Sequence, residues 1–409
     1  MPKIKAFRAL RPPTELAETV ASVPYDVVNR EEAAKLAEGN PNSFLHVIRP
    51  DIDLPAETNP YADEVYATAA ANLQKLNASG ALVRDEEDCV FLYRQIMNGI
   101  PQVGLVCCSH VDDYENNLIL KHEKTRPAKE DDRTRHVLTL KAHSGPVFLT
   151  YRDVEEANAI VANAIEQSPL YDFTAPDGVQ HTVWRLESPD DLVNAVGGAP
   201  FFYVADGHHR AASAWRAAQD RKAANPKHTG DEEYNWFLTV LFPASQLKIL
   251  AYNRVVQDLN GLAAADFLAK LSADFELEAT DNPVPTNPGC CCVYVAGAWH
   301  RLTFPTNKID ASDPINSLDV ALLENEVLRP ILGIENVRTD QRIDFVGGIR
   351  GTEELERLVK TGKWAVAFSM YPTSIEQLMA VSDAGEVMPP KSTWFEPKLR
   401  SGLFVHELG

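Results

Sequence analysis

Six cysteines in 409 residues are too few and too badly spaced for a disulfide framework. No C-x-x-C occurs. Cys107-Cys108 and Cys290-Cys291-Cys292 sit in apolar, strand-like stretches, which is the setting of buried free thiols rather than of a zinc site. No apolar run approaches the length of a membrane span, and Met1-Pro2-Lys3-Ile4-Lys5 lacks the apolar core of a signal peptide. A cytoplasmic protein with no membrane partner is the expectation. Basic runs are missing as well, and the formal charge is −19, so nucleic acid is not an expected partner. Neither internal repeats nor low-complexity linkers interrupt the chain. With 45% hydrophobic and 24% charged residues, the composition is that of an ordinary folded protein, and the length suits two domains.

What the chain does contain is concentrated at one stretch. Phe201-Phe202-Tyr203-Val204-Ala205 reads as a short buried strand, and Ala211-Ala212-Ser213-Ala214-Trp215 as a helix. Between them stand Asp206, Gly207, His208, His209 and Arg210. A helix that starts straight from a strand leaves its first amides without backbone partners, and its dipole favours an anion there. Gly207 would let a phosphate approach the backbone, with His208, His209 and Arg210 around it. Asp206 could ligate a metal, orient a histidine or take a proton. It could equally be a plain helix cap.

A second polar run covers residues 120–136. His122-Glu123 fails the zinc-protease pattern because position 126 is Arg. Glu123 as general base with His122 beside it, and Arg126 and Arg133 holding an anionic substrate, is the better chemical reading. A solvated charged helix start stands against it. Near the N-terminus, Asp26 and Asn29 precede a helix over 31–38, where Asn29 suits either a cap or a site. In the tail, the proline-rich segment 388–403 is expected to pack back on the body and to bring Lys391 towards the pocket.

Elsewhere, 41–50 reads as a proline-bounded strand, 61–79 as a helix, and 89–95 and 103–111 as strands joined at Asn98-Gly99, a strong hairpin signal. The stretches 235–243 and 250–256 read as paired strands of one sheet. Residues 317–332 have helical spacing, ended by Gly333. The expected architecture is α+β, or mixed α/β, with a main region over 1–260 and a smaller C-terminal α/β region over 261–409.

Five segments occur in order: Val23-Pro24-Tyr25-Asp26-Val27, His122-Glu123-Lys124-Thr125, Asp131-Asp132-Arg133, Ala205-Asp206-Gly207-His208-His209-Arg210 and Met388-Pro389-Pro390-Lys391-Ser392-Thr393. Together they resemble a bacterial family known as domain-of-unknown-function family 1015. The Asp206–Arg210 turn is similar to the phosphate-holding Gly-x-x-Arg turn of the ParB/sulfiredoxin superfamily and, within it, of archaeal free-serine kinases. That resemblance implies a nucleotide-binding core, ATP or ADP with Mg²⁺ near Asp206, and a small-molecule substrate such as serine. The expected activity is a kinase or phosphatase of a small hydroxy amino acid. A non-catalytic nucleotide switch is the alternative, and a metal hydrolase built on His122, Glu123, His208 and His209 a third.

Overall fold

A computed structural model describes residues 1–409. The chain is mixed α/β and forms two compact units, Met1–Leu247 with Pro397–Gly409, and Lys248–Glu396. The division therefore falls ahead of residue 260, and the last residues rejoin the first unit.

The first unit is built on one large sheet. Its strands lie in the order Ile119–Leu120, Phe202–Asp206, Val147–Tyr151, Trp236–Pro243, Ile100–His110, Val90–Met97, Gln180–Leu186 and Tyr171–Thr174, with Ile4–Lys5 paired to the far end of Ile100–His110. Two of the pairings are parallel, Phe202–Asp206 with Ile119–Leu120 and Trp236–Pro243 with Val147–Tyr151. The expected hairpin forms at Asn98 and Gly99, both with positive φ, the geometry a two-residue turn demands.

Helices Pro127–Leu140 and His208–Ala224 pack together in this unit. Alanines on the second of them (Ala211, Ala214, Ala217, Ala218) sit in the main core with Leu149, Phe202, Val204 and Leu241. Small residues let the helix approach the strands that lead into it.

Residues 41–50 are not a strand. Leu45–Ile48 is a short helix followed by a 3-10 turn, Pro50–Asp53. Phe44, Leu45, Val47 and Ile48 are all buried in a second apolar cluster. A run packed on every side has no alternation to read, so its period cannot separate strand from helix. The C-terminal residues stitch into the same region. Ser401 and Ser22 exchange backbone hydrogen bonds of 2.8 and 2.9 Å, Val405 does the same with Leu10, and His406–Glu407 pairs with Ala142–His143.

The second unit has its own antiparallel sheet, Glu276–Ala279, Ala298–Thr303, Cys290–Val295, Val366–Met370, Tyr252–Val256 and Ile343–Gly347. The stretch 250–256 thus belongs here and does not pair with 236–243. Both stretches are buried along nearly their whole length, so nothing local assigns either to a partner. Residues 317–332 are helical only over Asp319–Leu323 and then widen into a π turn, Glu324–Leu328. All six cysteines are free and buried.

Candidate functional site

Phe202–Asp206 ends in a bulge between Val204 and Asp206 against Val147–Tyr151, which re-aims the strand end. Gly207 follows with φ 93° and ψ 32°, and the helix begins at His208 with no side-chain cap. Asp206 is therefore not the cap. Its carboxylate accepts from Arg210 Nη2 at 2.7 Å and faces Lys398 Nζ at 3.4 Å. Arg210 also donates to the Pro146 carbonyl. Its guanidinium lies so close over Gly207 that a Cβ there would stand 3.0 Å from Cζ and Nε. Arg210 thus braces the turn, while the amides of His208, His209 and Arg210 point out of the helix start, as the first amides of any helix do.

Charge is arranged around this brace. Burial works against ionising Asp206, but Lys398 and Arg210 outweigh it and hold the carboxyl far below the usual carboxylate range. Burial likewise opposes the charge on Arg210, and Asp206 and Asp26 more than restore it. With both carboxylate oxygens facing cations, Asp206 does not fit a magnesium ligand. No group of three or more His, Cys, Asp and Glu is placed to hold a metal ion. The two cations do not suit the metal role expected of Asp206, and the metal-hydrolase reading on His122, Glu123, His208 and His209 finds no such ligand group.

The histidines divide by depth. His122 and His208 are buried and meet edge to face, ring centroids 4.5 Å apart. Burial, reinforced by His208, pushes His122 down to about 3. Burial also takes His208 down to about 4, despite Asp206. Both are neutral at pH 7 and make poor proton shuttles. His208 is 7% exposed and its Nε2 has no hydrogen-bond partner. His209 is half-buried, and its Nε2 accepts the Arg126 backbone N–H at 3.1 Å. Burial lowers it too, opposed by the charges of Glu123 and Asp26.

Glu123 is half-buried, and its charge acts on both His122 and His209. Arg126 starts the helix Pro127–Leu140 and is exposed. Arg133, about two turns further on, is bonded to Asp132 at 2.9 Å and stacked 4.3 Å over Tyr25. Asp132 is in turn fixed by the Tyr66 hydroxyl at 2.8 Å. Asp26, next to Tyr25, is exposed. Asn29 is a cap: its Oδ1 accepts from Glu32 N, and Glu32 answers to Asn29 N, each at 2.9 Å. Lys391 belongs to the second unit, where its ammonium stands 5.4 Å from the Tyr252 ring centre and its carbonyl accepts from Arg254.

Beside the turn a narrow cleft, open to solvent, is walled by Tyr25, Arg133, His136, His143, Ser144 and Arg210, among others. Lys398, Tyr25 and the two cleft histidines escaped the sequence reading. Lys398 lies only seven positions past Lys391, in the same proline-bounded tail.

Residues 4–321 match the family model described as a protein of unknown function, DUF1015. The chain belongs to that family. No curated protein matches it. Solved structures that resemble it include a conserved hypothetical protein from Pyrococcus furiosus, 12% identical, TM-score 0.34, covering 74% of this chain and 94% of that one. A free serine kinase in complex with AMP is 11% identical, TM-score 0.36, with 74% and 91% covered. A C-terminally truncated SbnI from Staphylococcus aureus is 13% identical, TM-score 0.39, with 73% and 86% covered.

Proposed function

We propose that this member of the family is a nucleotide-dependent phosphotransferase acting on the hydroxyl of serine or a related small metabolite. One observation carries the reading: the helix His208–Ala224 begins uncapped, straight from a sheet strand, behind a left-handed glycine, with Arg210 and Lys398 at its mouth. Such a start supplies amide donors and positive potential to phosphate oxygens without further rearrangement.

ATP or ADP would seat its phosphates on the amides of His208, His209 and Arg210. Arg126 and Arg133 would hold the acceptor's carboxylate, Arg133 being pre-set by Asp132 and Tyr25. Phosphoryl transfer asks mainly for position and charge neutralisation. The acceptor oxygen forms the new P–O bond while the bond to the departing nucleotide phosphate breaks. The hydroxyl proton passes to Glu123, and the negative charge stays on the shortened nucleotide. Glu123 suits the base role because it is half-buried and sits between two histidines that are neutral at pH 7.

Phosphorus NMR of the protein with magnesium, ATP or ADP, and free serine should show a new phosphomonoester. Glu123→Gln should retain nucleotide binding and lower turnover by roughly 10²–10⁴-fold. Turnover unchanged by that substitution removes Glu123 from the chemistry. Nucleotide binding with no chemical change in any acceptor tried would favour a binding switch.

A further inference from the structure

Two cations face Asp206, and they are held differently. Arg210 is a fixture: a 2.7 Å bond to Asp206, a second to the Pro146 carbonyl, and close packing on Gly207. Lys398 is tethered by its backbone, and its contact with Asp206 is the longer of the two. Its carbonyl accepts from Gln95 Nε2 at 2.9 Å, and Gln95, fully buried, also accepts from Gln102 at 3.0 Å. Two residues on, Arg400 is clamped by His181 and Asp177, and Ser401 is bonded both ways to Ser22. From this fixed base the Lys398 side chain, 14% exposed, reaches Asp206 at 3.4 Å. That distance exceeds the 2.7–2.9 Å range typical of a charge-assisted bond. An ammonium on a four-carbon stem can swing between partners, as a planar guanidinium braced at two acceptors cannot. Close by, the buried Nε2 of His208 and the buried Nε of Arg210 have no partner in the protein.

We propose that Lys398 is the site's exchanging cation: when a phosphate seats on the amides of His208–Arg210, Nζ leaves Asp206 for a phosphate oxygen and Arg210 alone retains Asp206. The inference rests on the phosphate-binding reading of the turn and adds to it a ligand delivered by the C-terminal return segment. It assigns that segment a part in binding. Exchange suits Lys398 because its departure leaves no buried carboxylate unpaired, an arrangement that would otherwise be costly.

The test compares ADP and adenosine on the full chain, wild type against Lys398→Met and Lys398→Arg. ADP affinity is read by titration calorimetry and adenosine by saturation-transfer NMR. Lys398→Met should weaken ADP by roughly tenfold or more, the worth of one charge-assisted contact, and leave adenosine unchanged. Lys398→Arg should recover most of the ADP affinity. ADP binding that is insensitive to Lys398→Met, or ADP and adenosine weakened together, overturns the assignment while the turn remains a nucleotide site. Wild-type protein that does not bind ADP overturns both.

Discussion

The two units are made of the same materials, a sheet with helices, yet they differ sharply in the histidines they carry. Ten of the eleven histidines lie in the first unit, and His300 is the exception. Six of those ten (His122, His136, His143, His181, His208 and His406) are buried, and burial is the first cause of a lowered pKa in each, pushed to about 3 or 4 in the first five. The second unit answers its buried charge locally: Arg254, fully enclosed, donates to the carbonyls of Tyr252 and Lys391. A sheet unit built for packing alone resolves its polar groups within itself. One that keeps neutral imidazoles, a bare helix start and two cations on one aspartate is built around something it will bind.

Acid should break the comparison most sharply. A buried imidazole that stays neutral in the fold but protonates near 6.5 when unfolded favours the unfolded state as pH falls. Its stabilisation is complete above 6.5 and disappears on the way down to its folded value. At pH 5 each such group has lost about 2 kcal/mol. Several together rival the roughly 5–15 kcal/mol that holds a domain. The second unit has the opposite sign, because burial raises Asp319 to about 6 despite the Gly289 N–H it accepts. Its protonation below 6 favours the folded form, by about 1 kcal/mol at pH 5. Hydrogen exchange followed by peptide, with intrinsic rates corrected, should therefore show protection collapsing in 1–247 between pH 7 and 5 and holding or rising in 248–396. Equal loss in both would refute the division.

Glycine separates the units by a smaller amount. Gly207 has φ 93° and its missing Cβ faces Arg210 at 3.0 Å, whereas Gly297, in the hairpin between Cys290–Val295 and Ala298–Thr303, has φ 85° and open space around it. Gly297→Ala should cost about 1 kcal/mol in urea denaturation, the backbone penalty alone. Gly207→Ala should cost about 2 kcal/mol, because Arg210 must also give way, and should lose ADP binding at least tenfold. Equal costs with ADP binding intact would mean that the turn is an ordinary tight corner.

Much of this site could be read from the chain because its signals are local. An apolar run, a glycine and an alanine-rich helix within fifteen residues announce a strand-turn-helix whatever surrounds them. Asn98-Gly99 announces its hairpin in the same way. The failures share a different cause. Whether Leu250–Val256 pairs with Trp236–Pro243 or with Ile343–Gly347 is settled by partners almost a hundred residues away. Lys398 meets Asp206 across 192 positions, a distance at which residue type says nothing about approach. The proton affinities of His122 and His208 are equally illegible in the chain, because burial sets them and burial belongs to the fold.

The finest contrast is one in which the units should agree. Each contains a reciprocal capping box: Asn29 with Glu32 in the first, and Ser374 with Gln377 in the second, with bonds of 2.9 to 3.1 Å. Asn29→Ala and Ser374→Ala should each cost about 1 kcal/mol, since each strips one helix of a satisfied first-turn amide. Asn29 also stands three residues from Asp26, whose charge acts on Arg210, so a second role in the ligand site would show as an excess. Its oxygen is committed to Glu32 N–H, and the Nδ2 donors that a phosphate could accept from are neutral, so any contact they made would be weaker than a charged one. ADP affinity of Asn29→Ala should thus stay within about twofold of wild type, well under the tenfold that a lost charged contact brings. A fall beyond fivefold with a stability loss no larger than that of Ser374→Ala would place Asn29 back among the residues that touch the ligand. It would also extend the site from the strand-turn-helix to the entry of the helix Arg30–Ala37.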